Sequence, residues 1–413
     1  MHLLLLSLNY YPDQLGNAPI LVGLAEGLVQ RGHQVSVVCA FPHHERGAVD
    51  ERYRGRVTAR EERNGVKIYR AYIKEGEAGM RAKLLNYGSF TASSLWAALR
   101  YVKGVDLIFT PSPPLTLGLV DIALRARFKA PFVYNIQDIF PKVAIELGAL
   151  QNPLAIKAFE RLERLILTQA DGLAVICEGF KRHAVALGAA PERVEVIPNF
   201  TDTELIKPQA QSAYRAKWGI AADELVALFS GRMGYSQALG DVVGAWRLLA
   251  AEREALKLRL VMVGDGQARA ETERALAGAE GVTFAPVQPR SSLGELLALA
   301  DIGLAPLKAG LGGASVPSKL LGLMAAGRAC VAQAEPETDT AELIERARCG
   351  LITPPGDPGA LAEAIRWLAL NPQERREMGD RGREAVVAQY SEGAVVEAYE
   401  RAFNAVISRW TQP

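Results

Sequence analysis

A glycine-rich segment that leads into a basic helix start is the part of this sequence best suited to chemistry. Free backbone N–H groups, the helix dipole and a lysine in the first helical turn would converge on one spot, which predicts a phosphate or diphosphate site. A proline fits an early position of that helix because its missing N–H is not needed there. A lysine merely solvated at a helix start is the alternative. The segment contains Gly310, Gly312, Gly313, Val316, Pro317, Ser318 and Lys319.

Three more glycine-containing loops follow apolar runs of strand type. Glycine lets backbone N–H groups approach anionic oxygens because it has no side chain in the way, although ordinary turns after strands show the same pattern. One loop, VGDGQAR, is similar to a dinucleotide fingerprint but has Arg269 where that motif needs its third glycine. We therefore interpret it as a strand-to-helix turn near a ligand. The candidate binding residues in these loops are Gly16, Gly231, Gly234, Gly264, Asp265 and Gly266.

Several polar side chains follow other strand-like runs, at the edge where ligands of parallel sheets bind. Asp138 could orient an acceptor hydroxyl or could cap the helix that follows it. His43 and His44, in FPHHE, could meet hydroxyl groups or could be exposed loop residues without a role. Glu178 follows the run VIC and is expected to face the same edge.

Short β-rich runs alternate with helix-length segments along the chain, which is typical of βαβ units with a parallel sheet. The series starts at residue 1 and restarts at about residue 201 with ELVALFSG. We therefore predict an α/β fold of two tandem Rossmann-like domains, residues 1–200 and 201–392, with a linker within residues 200–211. Ligands bind outside the carboxyl ends of such strands, so the site is expected in a cleft between the domains. Predicted helices include residues 20–30, 89–101, 116–125, 153–169, 240–252, 268–277, 292–299, 317–326 and 358–368.

Composition limits the classes of function. The 413 residues are 49% hydrophobic and 23% charged, which provides for a sizeable core and excludes a mainly disordered chain. The 47 basic and 46 acidic side chains give a net charge of +1, so nucleic acid is not an expected partner. Residues 1–130 hold 17 basic and 11 acidic side chains, a charge of +6, and the remaining 30 and 35 give −5. The four cysteines lie far apart, which indicates a reducing compartment and no metal or disulfide framework.

The relation of the chain to membranes is the other question that the sequence raises. The opening run of four leucines is short and has no basic residue before it, which favours a core strand over a signal peptide. No window approaches the roughly 18 apolar residues of a membrane span. Eleven basic residues in 46–83 precede an apolar helix candidate that contains Tyr87, Phe90 and Trp96. This pattern fits either attachment to an anionic bilayer or a solvated basic face beside a buried helix.

Nine ordered segments resemble the retaining GT-B glycosyltransferases of family 4, and within them the exopolysaccharide and O-antigen subgroup of colanic-acid and fucosamine transferases. The resemblance covers nearly the whole chain. The matching segments are LNYYPDQLGNAP, LAEGLVQRGHQVSVVCAFPHH, NIQDIFPKVAIELGAL, VICEGF, VEVIPNFTD, FSGRMGYSQAL, LVMVGDG, LADIGLAPL and VPSKLLGLMAAGRACVA.

The resemblance implies transfer of a sugar from a nucleotide diphosphate donor to an acceptor hydroxyl, with retention at the anomeric carbon and without a metal or other cofactor. It places the donor on the second domain and the acceptor on the first, and a C-terminal helix, about residues 393–413, back on the first domain. Arg232 corresponds to the diphosphate-binding arginine, and Lys319 would be a second cation. Gly16 corresponds to the first-domain glycine near the diphosphate, while Val287 and Gln288 fall in the loop that reads the base.

The sequence departs from the family pattern at four places. Gln237 replaces a lysine five residues after the arginine, and Gln137 replaces a histidine before Asp138. Ala314 and Gly322 replace a pair of glutamates, the second of which usually holds the ribose. We therefore carry three hypotheses: a glycosyltransferase acting on a lipid-linked saccharide at the cytoplasmic membrane face, a nucleotide-sugar epimerase, and a non-catalytic nucleotide-sugar-binding protein.

Overall fold

The chain folds into two compact units in a computed structural model that describes residues 1–13, 16–42, 49–74, 80–146, 150–310 and 318–412. Unit 1 comprises Met1–Asn199 together with Val395–Pro413, and unit 2 comprises Phe200–Ala394. Each unit has its own sheet and is described separately below.

Unit 1 contains an eight-stranded sheet in which the strand order is β3-β4-β2-β1-β5-β6-β7-β8. Buried apolar runs such as HLLLLS of β1 form the centre of the sheet, since parallel strands covered on both faces need few polar residues. Its strands are β1 (His2–Ser7), β2 (Gln34–Ala40), β3 (Thr58–Arg63), β4 (Val66–Ala71), β5 (Leu107–Pro111), β6 (Phe132–Ile136), β7 (Gly172–Val175) and β8 (Val194–Val196). Its first six helices are α1 (Ala18–Gln30), α2 (Met80–Tyr101), α3 (Leu117–Phe128), α4 (Lys142–Glu146), α5 (Pro153–Gln169) and α6 (Glu178–Ala186).

Unit 2 contains a six-stranded, wholly parallel sheet in the order β11-β10-β9-β12-β13-β14. Its strands are β9 (Leu225–Ser230), β10 (Leu258–Val263), β11 (Val282–Ala285), β12 (Ile302–Pro306), β13 (Ala329–Gln333) and β14 (Gly350–Thr353). Its helices are α7 (Ala213–Lys217), α8 (Leu239–Leu248), α9 (Arg269–Ala275), α10 (Leu293–Ala298), α11 (Ser318–Ala325), α12 (Asp339–Ala347), α13 (Pro358–Leu370) and α14 (Pro372–Tyr390).

The last helix, α15 (Glu392–Thr411), packs on unit 1 from Val395 onward. Tyr399 and Phe403 meet the ring of Phe109 on β5 with centroid separations of 5.4 and 5.2 Å. Glu400 accepts hydrogen bonds from Arg31 at 2.5 Å and pairs with His33 at 2.7 Å. Two predictions are thereby confirmed: the C-terminal helix returns to the first domain, and the fold is α/β with two parallel sheets.

Three parts of the fold differ from the sequence predictions. The edge strand β3, TAREER, runs antiparallel to β4 and was not predicted, because its charged residues hide the alternation of an edge strand. Helix α2 begins nine residues before the predicted helix 89–101, at Met80. Helices α6, α7, α12 and α14 were also missed. The sequence of α14 is largely charged and has little apolar periodicity.

Candidate active site

The loop after β9 in unit 2 is fixed by the neighbouring loop after β10. Gly231 N donates to Val263 O at 2.9 Å, and Met233 N donates to Asp265 O at 2.8 Å. A Cβ on Gly264 would lie 1.9 Å from Gly231 O. Because that contact is with backbone, only glycine allows the two loops to approach so closely.

Lys319 extends from the first turn of α11 onto this loop. Its Nζ donates to Gln237 Oε1 at 2.6 Å and lies 3.4 Å from Arg232 O. The ammonium also sits 4.4 Å from the centroid of the Phe229 ring. A Cβ on Gly231 would come within 2.4 Å of Lys319 Cε, so the glycine provides the space that the lysine occupies.

The environment of Lys319 changes its protonation. Burial lowers the pKa of its ammonium from 10.5 to about 8, because few groups around it replace the lost hydration of the charge. An anion beside Nζ would favour the charged form and raise that pKa again. The site is therefore suited to a phosphate oxygen, which would supply the missing negative charge.

Arg232 is the second cation on the loop. Its side chain is exposed, and within the described ranges it forms no hydrogen bond or ion pair. Its backbone carbonyl oxygen lies 3.4 Å from Lys319 Nζ, so both cationic residues contribute to the same loop region. This combination of a held ammonium and an available guanidinium can neutralise a diphosphate.

The remaining predicted donor residues of unit 2 lie around the same loops. Asp265 is exposed and accepts a hydrogen bond from Gly266 N at 2.7 Å. Gly234 has open space near it, and Ser318 is exposed at the start of α11. Val316 and Pro317 lie outside the described residues, as do Gly312 and Gly313.

The structure shows what Arg269 does in place of the third glycine of a dinucleotide fingerprint. Its guanidinium donates to Gly264 O at 2.5 Å and to Ala285 O at 3.3 Å, and it pairs with Glu273 at 2.9 Å. The side chain thus links the ends of β10 and β11 and stabilises the turn itself.

The loop after β11 exposes one predicted base-reading residue and holds the other. Val287 is 67% exposed. Gln288 donates to Pro286 O at 2.6 Å and accepts from Tyr214 Oη at 3.2 Å. These contacts fix the loop and leave Val287 available to a flat ligand group.

Beside the same edge of unit 2 is a cavity of about 550 Å³. It is bordered by the start of α8, by α9 and by the segment around Lys308, and Tyr235 and Gln237 contribute to its wall. Its size is within the range of small-ligand pockets.

In unit 1, the predicted glycine after β1 is exposed. Gly16 has a φ of +60°, and a Cβ there would meet nothing within 4 Å. Open space beside its backbone is compatible with a ligand. His43 and His44 lie outside the described residues.

Arg70, one of the eleven basic residues in 46–83, is buried and organises this edge of unit 1. It is 1% exposed, donates to Tyr11 O at 2.7 Å, and pairs with Glu61 at 2.9 Å. Its guanidinium also lies 3.4 Å from Ala40 O. Because these partners belong to the β1 loop, β2 and β3, Arg70 ties three segments together.

Other cations of the basic run are also paired. Arg52 contacts Asp50 at 2.8 Å, Arg54 contacts Glu51 at 3.3 Å, and Arg63 pairs with Glu26. Fewer cations of this run are therefore available to an external partner than its composition indicates.

The carboxyl end of β6 carries Asp138, which is exposed. Burial and the nearby Asp138 carboxylate raise the pKa of Tyr87 to about 12. Gln137 and Asn199 exchange two amide hydrogen bonds, of 3.0 and 2.8 Å, beside it. Glu178 is exposed at the start of α6.

Sequence reasoning missed the contributions of Arg70, Asn199 and Phe229. A lone arginine inside the apolar run VKIYRAYI was a signal for Arg70, since burial of a cation requires dedicated partners. Phe229 gave no comparable signal, because an aromatic residue in a buried strand normally belongs to the core.

Within the part of the chain that the structure describes, no three His, Cys, Asp or Glu side chains are grouped as a metal site would require. The described helices also include none that is long and apolar enough to cross a bilayer.

Two tandem α/β units and a C-terminal helix that returns to the first of them define the GT-B class of proteins. The family profile of the glycosyl transferase 4-like domain matches residues 16–199, and that of glycosyl transferases group 1 matches residues 224–371. The chain belongs to glycosyltransferase family 4.

A curated relative is the colanic acid biosynthesis glycosyl transferase WcaI of Escherichia coli. It is 27% identical over 412 residues, which cover 94% of this chain and 98% of WcaI.

Solved structures show the same fold at low identity. Sucrose-phosphate synthase from Thermosynechococcus elongatus superposes with a TM-score of 0.72 at 19% identity over 99% of both chains. Anabaena Alr3699/HepE in complex with UDP gives a TM-score of 0.69 at 16% identity, over 98% of this chain and all of that one (100%). HepE has also been solved with UDP-glucose.

Proposed function

We propose that the protein is a retaining glycosyltransferase that moves a sugar from a nucleotide diphosphate sugar to an acceptor hydroxyl. The observation that carries this proposal is the Lys319 ammonium held on the glycine loop next to Arg232. A family 4 chain with two cations at one loop is suited to a leaving group that gains negative charge.

The chemistry follows from where that charge develops. As the bond from the anomeric carbon to the diphosphate oxygen breaks, the electron pair goes to the diphosphate. Arg232 and Lys319 stabilise this charge through fixed positive groups, and each such group typically contributes about 10²-fold or more. The acceptor oxygen then bonds to the anomeric carbon on the face that the diphosphate leaves, and its proton passes to a departing phosphate oxygen. These side chains and backbone N–H groups replace the metal that other transferases use.

The other donor contacts are proposed from the resemblance and from their places in the loops. Gly231, Gly234 and the Gly264–Gly266 turn would present backbone to the diphosphate, and Val287 and Gln288 would contact the base. We extend the same proposal to Gly16, Val316, Pro317 and Ser318. The HepE complexes support a uridine nucleotide as the first donor to test.

On the acceptor side we propose Asp138 as the group that orients the hydroxyl, with His43, His44 and Glu178 near it. The exposed carboxylate of Asp138 at the end of β6 supports this assignment. Similarity to WcaI along nearly the whole chain supports a saccharide acceptor in bacterial surface polysaccharide synthesis, linked to a lipid at the cytoplasmic face of the membrane.

The test is incubation of the purified chain with radiolabelled nucleotide sugars and a bacterial membrane extract. We expect label in the lipid fraction. NMR of the product should show that the anomeric configuration of the donor is retained. Donor binding without turnover would instead identify a non-catalytic binding protein. The replacement of the glutamate pair by Ala314 and Gly322 motivates this alternative. Conversion of the free nucleotide sugar to its epimer would identify an epimerase.

A further inference from the structure

Helix α2 of unit 1 exposes an apolar face where a solvent-exposed helix normally carries polar groups. Its inward side buries Phe90, Ala97 and Ala98. Leu85 is 55% exposed and Trp96 is 48% exposed. The residues on the outward side, called the α2 stripe below, are Leu84, Leu85, Gly88, Ala92, Trp96 and Leu99.

The stripe is continuous along the helix. From Leu85 its members follow at intervals of three or four residues, which places them on one side of a helix. The five members from Leu85 to Leu99 are large apolar or small residues and span about four turns of the helix. No charged residue lies between them in the chain. A contiguous exposed apolar patch of this kind marks an interaction surface.

The neighbouring helices α3 and α5 also expose apolar side chains. Helix α3 lies against α2, where Thr91 and Thr116 share a hydrogen bond of 2.7 Å, and α5 lies against α3. Leu119 on α3 is 43% exposed, and Leu154 on α5 is 80% exposed.

The charges around the stripe are predominantly positive. Helix α2 has no Asp or Glu in its 22 residues. Exposed Arg100 lies over the ring of Tyr101, which meets Trp96 of the stripe with a centroid separation of 5.8 Å. Arg127 is exposed on the neighbouring helix α3.

We propose that the α2 stripe is the surface by which this protein docks on an anionic lipid bilayer, a proposal that rests on the lipid-linked acceptor proposed above. Apolar side chains beside a cation, on a helix without acidic residues, match the acyl boundary and the anionic headgroups. A second copy of the chain fits less well, because a twofold contact through α2 would bring the same cations face to face. The basic run of residues 52–70 is not this surface, since its arginines are largely paired with carboxylates.

The experiment is flotation of the full chain with vesicles of phosphatidylcholine alone or with 30% phosphatidylglycerol, roughly the anionic content of a bacterial membrane. We expect flotation with the anionic vesicles, and a loss of about tenfold or more in the bound fraction for the double variant Leu85→Ser and Trp96→Ser. The matched control is Trp367→Ser with Leu370→Ser on unit 2, where the two side chains are 41% and 61% exposed. That control should float like the parent.

Unchanged flotation of the α2 variant would overturn the proposal. So would a parent chain that ignores both vesicles and elutes as a dimer that the α2 variant converts to a monomer, since a second copy would then cover the stripe. Nucleoside diphosphate binding, followed by thermal shift in the same samples, is expected to stay unchanged in the α2 variant. This measurement separates failure of the docking surface from failure of the proposed function, because the loops after β9 and β10 and the cation of Lys319 lie in unit 2.

Discussion

Lys319 Nζ donates a 2.6 Å hydrogen bond to Gln237 Oε1, although 82 residues separate the two in the chain. The bond brings the ammonium from the start of α11 to the glycine loop after β9. The family pattern that this sequence resembles has a lysine at the position of Gln237. In this structure the cation at the loop is Lys319, which comes from α11. Within the proposed function, we infer that Gln237 acts through Lys319 as a positioning residue.

The first prediction concerns an exchange of the two side chains. Lys319→Gln should lower kcat/KM for transfer by about 10²-fold, because one cation at the leaving group is lost. The double variant Lys319→Gln with Gln237→Lys exchanges the two side chains and places the ammonium at position 237. We expect it to recover at least about tenfold of that loss, measured with a fixed acceptor.

Gln237→Lys alone is the control, since it adds a second ammonium beside the first and should not improve on the parent. A double variant that is no better than Lys319→Gln would show that the charge is not interchangeable between the two positions. Circular dichroism would establish that all three variants are folded.

The second prediction is a pH dependence of donor binding. The pKa of Lys319 is lowered by burial to about 8 in the free protein, and a bound diphosphate favours the charged form. Binding above pH 8 must therefore take up a proton, so affinity should fall by up to about tenfold per pH unit between pH 8 and 10. Titration calorimetry in buffers of different ionisation enthalpy measures both the fall and the proton uptake.

Lys319→Arg is the matched control for this dependence because arginine stays charged throughout that range. Affinity in Lys319→Arg should change little from pH 8 to 10. An equal fall in the parent and in this variant would assign the titration to another group.

The third prediction concerns Arg232. Its exposed guanidinium has no partner among the described residues, so Arg232→Ala should leave the free energy of unfolding within about 0.5 kcal/mol of the parent. Turnover should nevertheless drop by about 10²-fold or more if the side chain meets the leaving diphosphate. Arg274→Ala, an exposed arginine on α9, serves as the control and should retain parental turnover. A normal rate in folded Arg232→Ala would remove Arg232 from the mechanism.

The fourth prediction separates two glycines of the same site. Gly264→Ala should lower the free energy of unfolding by about 2 kcal/mol or more, because its Cβ would collide with Gly231 O and its φ is +150°. At Gly234 the nearest atom to an added Cβ is Ser236 Oγ at 3.8 Å, so Gly234→Ala should cost less than about 1 kcal/mol. Urea unfolding of both variants measures the difference. Equal costs would show that the close approach of the two loops does not depend on glycine.

The sequence predicted the parts of this protein that depend on local pattern. Apolar runs such as that of β1 and the glycines at loop positions with positive φ left clear signals. The return of the C-terminal helix to unit 1 followed only from the family resemblance. The edge strand β3 did not, because alternating charges resemble a solvated loop as much as an edge strand.

The side-chain relationships of the site required the structure. Nothing in the spacing of Gln237 and Lys319 indicates that their side-chain ends meet, since the contact depends on how α11 packs against β12 and β13. The burial of Arg70 depends similarly on partners from three separate segments. Tertiary contacts of this kind are set by packing and have no local periodicity.

The most direct measurement of the central claim compares binding of a nucleoside diphosphate and its nucleoside monophosphate, UDP and UMP first, in the parent and in Lys319→Gln. Lys319 is proposed to neutralise the diphosphate, so the variant should lose the parent's preference for the diphosphate by about tenfold, which is about 1.4 kcal/mol. Binding of the monophosphate should change much less. An undiminished preference for UDP over UMP in folded Lys319→Gln would contradict the claim that this cation holds the leaving group.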